Sequence, residues 1–144
     1  MYKRILVPTD GSDITANAVS TAVSLAKSLG AQLLTISVKE PFPYSAISEM
    51  QPTPPQEFYD AQERIATTRV KTVADAAQAA GLSCEAHTVE ALHPWEAIIE
   101  HAKLKQCDLI VMASHGRRGV AAMLLGSETQ RVLIHSKIPV LIVR

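Results

Sequence analysis

The residue types in this chain that can do chemistry gather in two short stretches. Gly116 and Gly126 are separated by nine residues, Ser127 follows directly, and between the glycines lie Arg117 and Arg118. From Ser114 to Ser127 there is no acidic residue, and His115 stands beside the arginines. Two glycines let the main chain come close to a phosphate chain. A helix opening at Ser127 would present unpaired backbone N–H groups and the positive end of its dipole. The competing reading is structural: Ser127 followed by Gln130 three residues later is a capping-box pattern, which needs no ligand. The second stretch is Pro8-Thr9-Asp10-Gly11-Ser12-Asp13. Asp10 can accept hydrogen bonds from a ribose hydroxyl or orient a metal held by phosphates. Equally, Asp-Gly-Ser is a common turn, and Ser12 or Asp13 can cap the following helix.

Other signatures are missing. The chain has no Gly-Lys-Ser/Thr of a Walker loop and no G-x-G-x-x-G. Around Ser114 the sequence Met112-Ala113-Ser114-His115-Gly116 lacks the first glycine of a nucleophile elbow. Sequence adjacency does not make Ser114 and His115 a catalytic dyad, because neighbours are not thereby oriented imidazole to hydroxyl. His87, His93, His101 and His135 fall on different elements and read as surface or capping residues rather than metal ligands. No metal-ligating or catalytic set emerges. If Asp10 engages a ribose, His115 is the remaining group that could serve slow hydrolysis of a bound nucleotide or self-phosphorylation.

The elements that must position these loops follow from periodicity. Five short apolar runs, Arg4–Pro8, Gln32–Val38, Leu82–Val89, Asp108–Ala113 and Ile138–Val143, alternate with Ala-rich helical stretches, the pattern of βαβ units and a parallel sheet. The helices run about Thr15–Leu29, Gln56–Ala80, from Pro94, and from near Ser127. The first places Ala18, Ala22, Leu25, Ala26 and Leu29 on one face and stops at Gly30; the second stops at Gly81. Pro94 opens the third, with Ile98, Ile99 and Ala102 inward; the fourth turns Val132 and Leu133 inward. The near-continuous runs ILV and LIVMA predict central strands covered on both faces. Pro139 predicts that the last strand lies at an edge or begins there. The Pro-rich segment 39–55 reads as a mobile surface loop, a lid over a ligand or a docking loop.

Composition bounds the function. A chain of 144 residues with 14 basic and 14 acidic side chains is sized for one domain and lacks the basic field of a nucleic-acid or anionic-membrane surface. Its 47% hydrophobic content is enough for a core. The N-terminus carries no signal-peptide or membrane-span pattern, and Cys84 and Cys107 read as buried free thiols. Both point to the cytoplasm.

The whole chain resembles the universal stress protein family in its single-domain, nucleotide-binding form. The opening Ile5-Leu6-Val7-Pro8-Thr9-Asp10-Gly11-Ser12 is similar to the family's first strand and loop, and Ile138-Pro139-Val140-Leu141-Ile142-Val143 to its closing strand. Gly116, nine residues, Gly126-Ser127 is similar to the second half of the family's ATP motif, whose first glycine is here Ala113. The resemblance implies a three-layer α/β sandwich, Rossmann-like and of the adenine nucleotide alpha hydrolase-like kind, with a five-stranded parallel sheet in the order 3-2-1-4-5. It implies ATP, ADP or AMP as ligand, with Mg2+ carried by the phosphates. Pro8, Thr9 and Asp10 would lie on the adenosine half, Val38 would meet adenine through its backbone, and Met112 and Ala113 would border the ribose. Gly116, Arg117, Gly126, Ser127, Glu128 and Thr129 would surround the phosphates. It also implies a homodimer joined through edge strand 138–143, and a sensor or scaffold rather than a fast enzyme. A nucleotide-independent interaction module of the same fold is the alternative; a phosphoacceptor receiver lacks the paired acids beside the first strand. Glu128, if it faced the ligand, would favour AMP or ADP over ATP.

Overall fold

A computed structural model of the chain describes residues 1–42, 55–116 and 125–144. Strands β1 (Arg4–Pro8), β2 (Gln32–Lys39), β3 (Cys84–Glu90), β4 (Leu109–Ala113) and β5 (Val140–Val143) alternate with helices α1 (Asp13–Leu29), α2 (Gln56–Ala79), α3 (Pro94–Leu104) and α4 (Ser127–His135). The strands form one parallel sheet in the order β3-β2-β1-β4-β5, as the resemblance implies. β1 lies between β2 and β4, so the chain winds one way from β1 and the other way after β3. The carboxyl ends of β1 and β4 therefore open beside each other at the switch point.

Side-chain alternation splits the core into two layers. Ile5, Val7, Leu33 and Val111 pack with Ala18, Ala22 and Ala26 of α1 and with Val73 and Ala77 of α2. Leu6, Leu34, Ile36, Ile110 and Met112 face the other way, against Ile98, Ile99 and Ala102 of α3 and Val132 of α4. Ile5, Leu6, Val7, Ile110 and Val111 have no exposed surface, which is why β1 and β4 read as unbroken apolar runs. Burying each such side chain contributes roughly 1.5–3 kcal/mol.

Two inward positions expected from the sequence are not buried. Leu29, in the last turn of α1, is 37% exposed, and Leu133 is 40% exposed because only one stripe of the short α4, through Thr129 and Val132, meets the core. The helix stops are as expected: Gly30 (φ 65°) and Gly81 (φ 82°) take the left-handed conformation that lets the chain reverse into the next strand. α3 ends without glycine, at Gln106 (φ 55°), a stop with no composition signal. β5 begins after Pro139 and forms one edge of the sheet, with Leu141 39% exposed. Cys107 is buried and Cys84 only half-buried; burial pushes both thiols up to about 11, so neither is a reactive thiolate near neutral pH. β2 runs to Lys39 and α2 starts after Pro55, while residues 43–54 of the Pro-rich loop lie outside the described residues.

Candidate functional site

The two stretches singled out by residue type meet at the switch point. Asp10 leaves β1 in a tight turn: its Oδ1 accepts from Ser12 N (2.9 Å) and Thr15 Oγ1 (2.7 Å), and Thr9 Oγ1 accepts from Gly11 N. Ser12 caps α1, accepting from Thr15 N. The turn chemistry is thus real, and it also aims the carboxylate: a Cβ built on Gly116 would lie 3.0 Å from Asp10 Oδ2. Asp10 and Gly116, 106 positions apart in sequence, therefore lie in contact side by side at the carboxyl ends of β1 and β4.

Gly126 closes the other side. Its N–H donates to Ser114 O at 2.7 Å, and an added Cβ would meet His115 Cα at 3.2 Å and Gly116 N at 3.5 Å. The ends of the long loop are pinched together by backbone contact that a side chain would obstruct. Arg117, expected at the phosphates, and its neighbour Arg118 lie outside the described residues.

The capping box expected from Ser127 and Gln130 does not form. Gly126 is the N-cap and supplies no side-chain acceptor, while the Gln130 amide turns to Leu125 O. Among the described residues no side chain caps the first-turn N–H groups of α4 at the mouth of the site. Thr129 is buried (3% exposed), and its hydroxyl donates to Ala113 O at 2.9 Å, fixing the first turn of α4 to the end of β4. Only its backbone can serve a ligand.

Glu128 departs from the expectation that it could crowd a phosphate. Its Oε2 accepts from Trp95 N at 2.8 Å, in the first turn of α3, where His93 makes no capping bond. The carboxylate stands at the start of two helices, and their dipoles favour it there.

Of the remaining expected residues, Pro8 ends β1, and Met112 and Ala113 end β4, both buried. Ala113 keeps negative φ, since Gln106 is the only non-glycine residue with positive φ among the described residues, so its methyl is accommodated without backbone strain. Along β2 the polar groups alternate between neighbours: Ile36 O accepts from Thr9 N, and Lys39 O from Ala91 N beyond β3. Val38 therefore directs its backbone N–H and C=O toward the β1 side, where pairing has already ended at Pro8 and Ile36. These groups face the space above Pro8.

Several contacts have no signature in the sequence. Ser114 Oγ lies 3.0 Å from His115 Nδ1, so the neighbours are hydrogen-bonded after all; Ser114 is 3% exposed and its backbone is held by Val143 and Gly126, which makes the pair an anchor at the loop's start. His101 is not a surface residue: it is 8% exposed, its Nε2 has no hydrogen-bond partner among the described residues, and its ring lies 5.2 Å from that of His87. Around it, Glu85 pairs with Lys105 (2.7 Å), His87 (2.8 Å) and, more distantly, Arg4. The Lys105 and His87 bonds hold the Glu85 carboxyl down to about 2. Among the described residues no three His, Cys, Asp or Glu side chains are grouped to hold a metal ion, and no helix is long and apolar enough to cross a membrane.

The family model for the universal stress protein family matches residues 1–144. The chain belongs to the universal stress protein family. Among curated relatives, the universal stress protein MJ0531 of Methanocaldococcus jannaschii is 32% identical over 145 residues, covering 100% of this chain and 83% of that protein. Among solved structures, the universal stress protein UspA from Lactobacillus plantarum is 25% identical with a TM-score of 0.85, covering 99% of this chain and 98% of that one. A universal stress protein in complex with cAMP is 29% identical with a TM-score of 0.73, covering 99% of this chain and 96% of that one. Members of this universal stress protein fold thus include a nucleotide-bound one.

Proposed function

We propose that this universal stress protein domain, residues 1–144, binds an adenine nucleotide in the switch-point cleft and acts as a sensor or scaffold. The observation that carries the reading is the pairing of Gly126 with Gly116: backbone packs on backbone, and the uncapped first turn of α4 faces the same opening as Asp10. In this reading Val38 meets the adenine edge with its backbone, Pro8, Thr9 and Met112 border the adenosine, Ala113 borders the ribose, and Asp10 takes the ribose. Backbone N–H groups of Gly126, Ser127, Glu128 and Thr129, together with Gly116 and Arg117, take the phosphates of ATP, ADP or AMP. A Mg2+ ion would enter bound through the phosphates, leaving Asp10 to the ribose.

The cAMP complex of a relative supports the nucleotide class. The unpaired thiols and the lack of a membrane-length helix among the described residues fit a cytoplasmic protein. The β5 edge, with Leu141 exposed, supports a second copy pairing across it; sedimentation showing only monomer at micromolar concentration would remove the dimer. For the ligand, the purified protein is heat-denatured, the supernatant chromatographed for an adenine chromophore, and AMP, ADP, ATP and cAMP titrated by calorimetry. Adenine in the supernatant or saturable binding is the expected result. Neither would leave a nucleotide-independent interaction module.

A further inference from the structure

On the face of the sheet lined by α1 and α2, the two helices leave a groove between them of about 840 Å³, within the range of small-molecule sites. Both helices follow parallel strands and return along the same face, so they run side by side in the same direction. The stretches lining the groove, Ser12 to Ser24 and Arg64 to Ala76, each advance about 18 Å. Its exposed apolar lining is Ala16, Ile65 and Ala76, with Ile65 on the α2 wall 44% exposed, while Val19, Val23 and Val73 form the buried floor beneath. The hydroxyls of Thr68 and Thr72 are already bonded to Arg64 O and Thr68 O and demand nothing of a ligand.

Among the described residues lining the groove the charge has one sign: Arg64 and Arg69 are there and no carboxylate is. The acids nearest Arg64 along α2 are engaged elsewhere: Asp60 accepts from Gln56, and Glu63 from Lys39, Thr67 and Thr88. Among the described residues the exposed Arg64 guanidinium has no acidic partner. It stands at the end of the groove where Gly11 and Ser12 of the β1–α1 turn complete the lining.

We propose that the α1–α2 groove is a second binding site, for a small amphiphilic carboxylate whose apolar body lies along Ala16, Ile65 and Ala76 and whose carboxylate pairs with Arg64. A guanidinium matches a carboxylate with two parallel donors, and the apolar walls exclude a purely ionic ligand. At its Gly11 end the groove also takes in Thr9, so it adjoins the proposed nucleotide site, and the two are read by separate titrations.

Decanoate below its micellar concentration is the probe, titrated into isotopically labelled protein and followed by amide chemical shifts. Saturable shifts along Ser12–Ser24 and Arg64–Ala76 are expected, with decanol binding about tenfold more weakly. Arg64→Glu should weaken decanoate by about tenfold or more, and Ser20→Trp, which places an indole in the groove, should abolish it. Both substitutions are at exposed positions; if Ser20→Trp lowers the thermal midpoint, Arg64→Glu alone decides. Decanol binding as tightly as decanoate, decanoate affinity unchanged in Arg64→Glu, or no saturable shift along the two helices would each overturn the proposal. Adenine-nucleotide titration of the Ser20→Trp protein reads the other site separately.

Discussion

Replacing Thr129 by Val tests whether one buried hydrogen bond sets the position of α4. The side chains are nearly the same shape, so packing is conserved and the change isolates the hydroxyl. Thr129 is 3% exposed and donates to Ala113 O at 2.9 Å. Leaving a buried acceptor short of a partner costs about 1–3 kcal/mol, offset by up to roughly 0.8 kcal/mol from the extra apolar burial. The expected net loss is about 1 kcal/mol, or about 3–4 °C in melting temperature for a chain of this length. Because the bond joins the first turn of α4 to the end of β4, the loss should be concentrated there. Native-state hydrogen exchange of α4 amides should accelerate by roughly fivefold, the factor that corresponds to 1 kcal/mol. Thr129→Ser keeps the donor and should leave α4 exchange near the wild-type rate even though it removes a methyl. A Thr129→Val protein as stable as wild type with unchanged α4 exchange would refute the reasoning, and so would a Ser variant whose α4 exchange matched that of Val.

Two further outcomes follow from the contacts that the sequence did not announce. Burial is the main cause holding the His101 imidazole below its ordinary value of 6.5, followed by the charges of His87 and Lys105, with Glu85 opposing. The folded state therefore favours neutral His101: its contribution is complete above about pH 6.5 and is lost as pH falls through that value toward the lowered folded one. Urea midpoints should drop more between pH 7 and 5.5 for wild type than for His101→Phe; superimposed profiles would remove His101 as the cause. For Glu128, whose carboxylate is engaged by Trp95 N, Glu128→Val should cost about 1 kcal/mol by removing the cap on α3, while changing the AMP-to-ATP affinity ratio less than about twofold. A larger change in that ratio would mean that Glu128 reaches the phosphates.

The strands and helices were legible because each is dictated by local pattern. ILV and LIVMA read as central strands since every side chain there is buried on one face or the other. Pro139 marked an edge because it cannot donate to a ladder, and Gly30 and Gly81 marked helix ends because they supply positive φ at no steric cost. Asp10, Gly116 and Gly126 were identifiable by type, and the parallel order derived from the resemblance put them at one opening. What local pattern misjudged were choices between partners at similar sequence distance. Ser127-x-x-Gln130 spells a capping box, yet Gly126 takes the cap position because its close packing on Ser114–Gly116 fixes where α4 begins. Leu133 fits an inward stripe by periodicity, but α4 touches the core over too narrow a face to cover it.

The sequence by itself determined the element order, the central and edge strands, and the residue types that converge on the switch point, because propensity and periodicity act over a few residues. Only the tertiary structure decided where the polar side chains spend their hydrogen bonds. Glu128 turns to Trp95, 33 positions away, His101 is enclosed against His87, and Thr129 is bonded to Ala113. The α1–α2 groove with Arg64 at its rim likewise exists only once two helices far apart in sequence lie on one face. Such partners are selected by which groups the packed core brings within about 3 Å of each other, a distance that no one-dimensional pattern encodes.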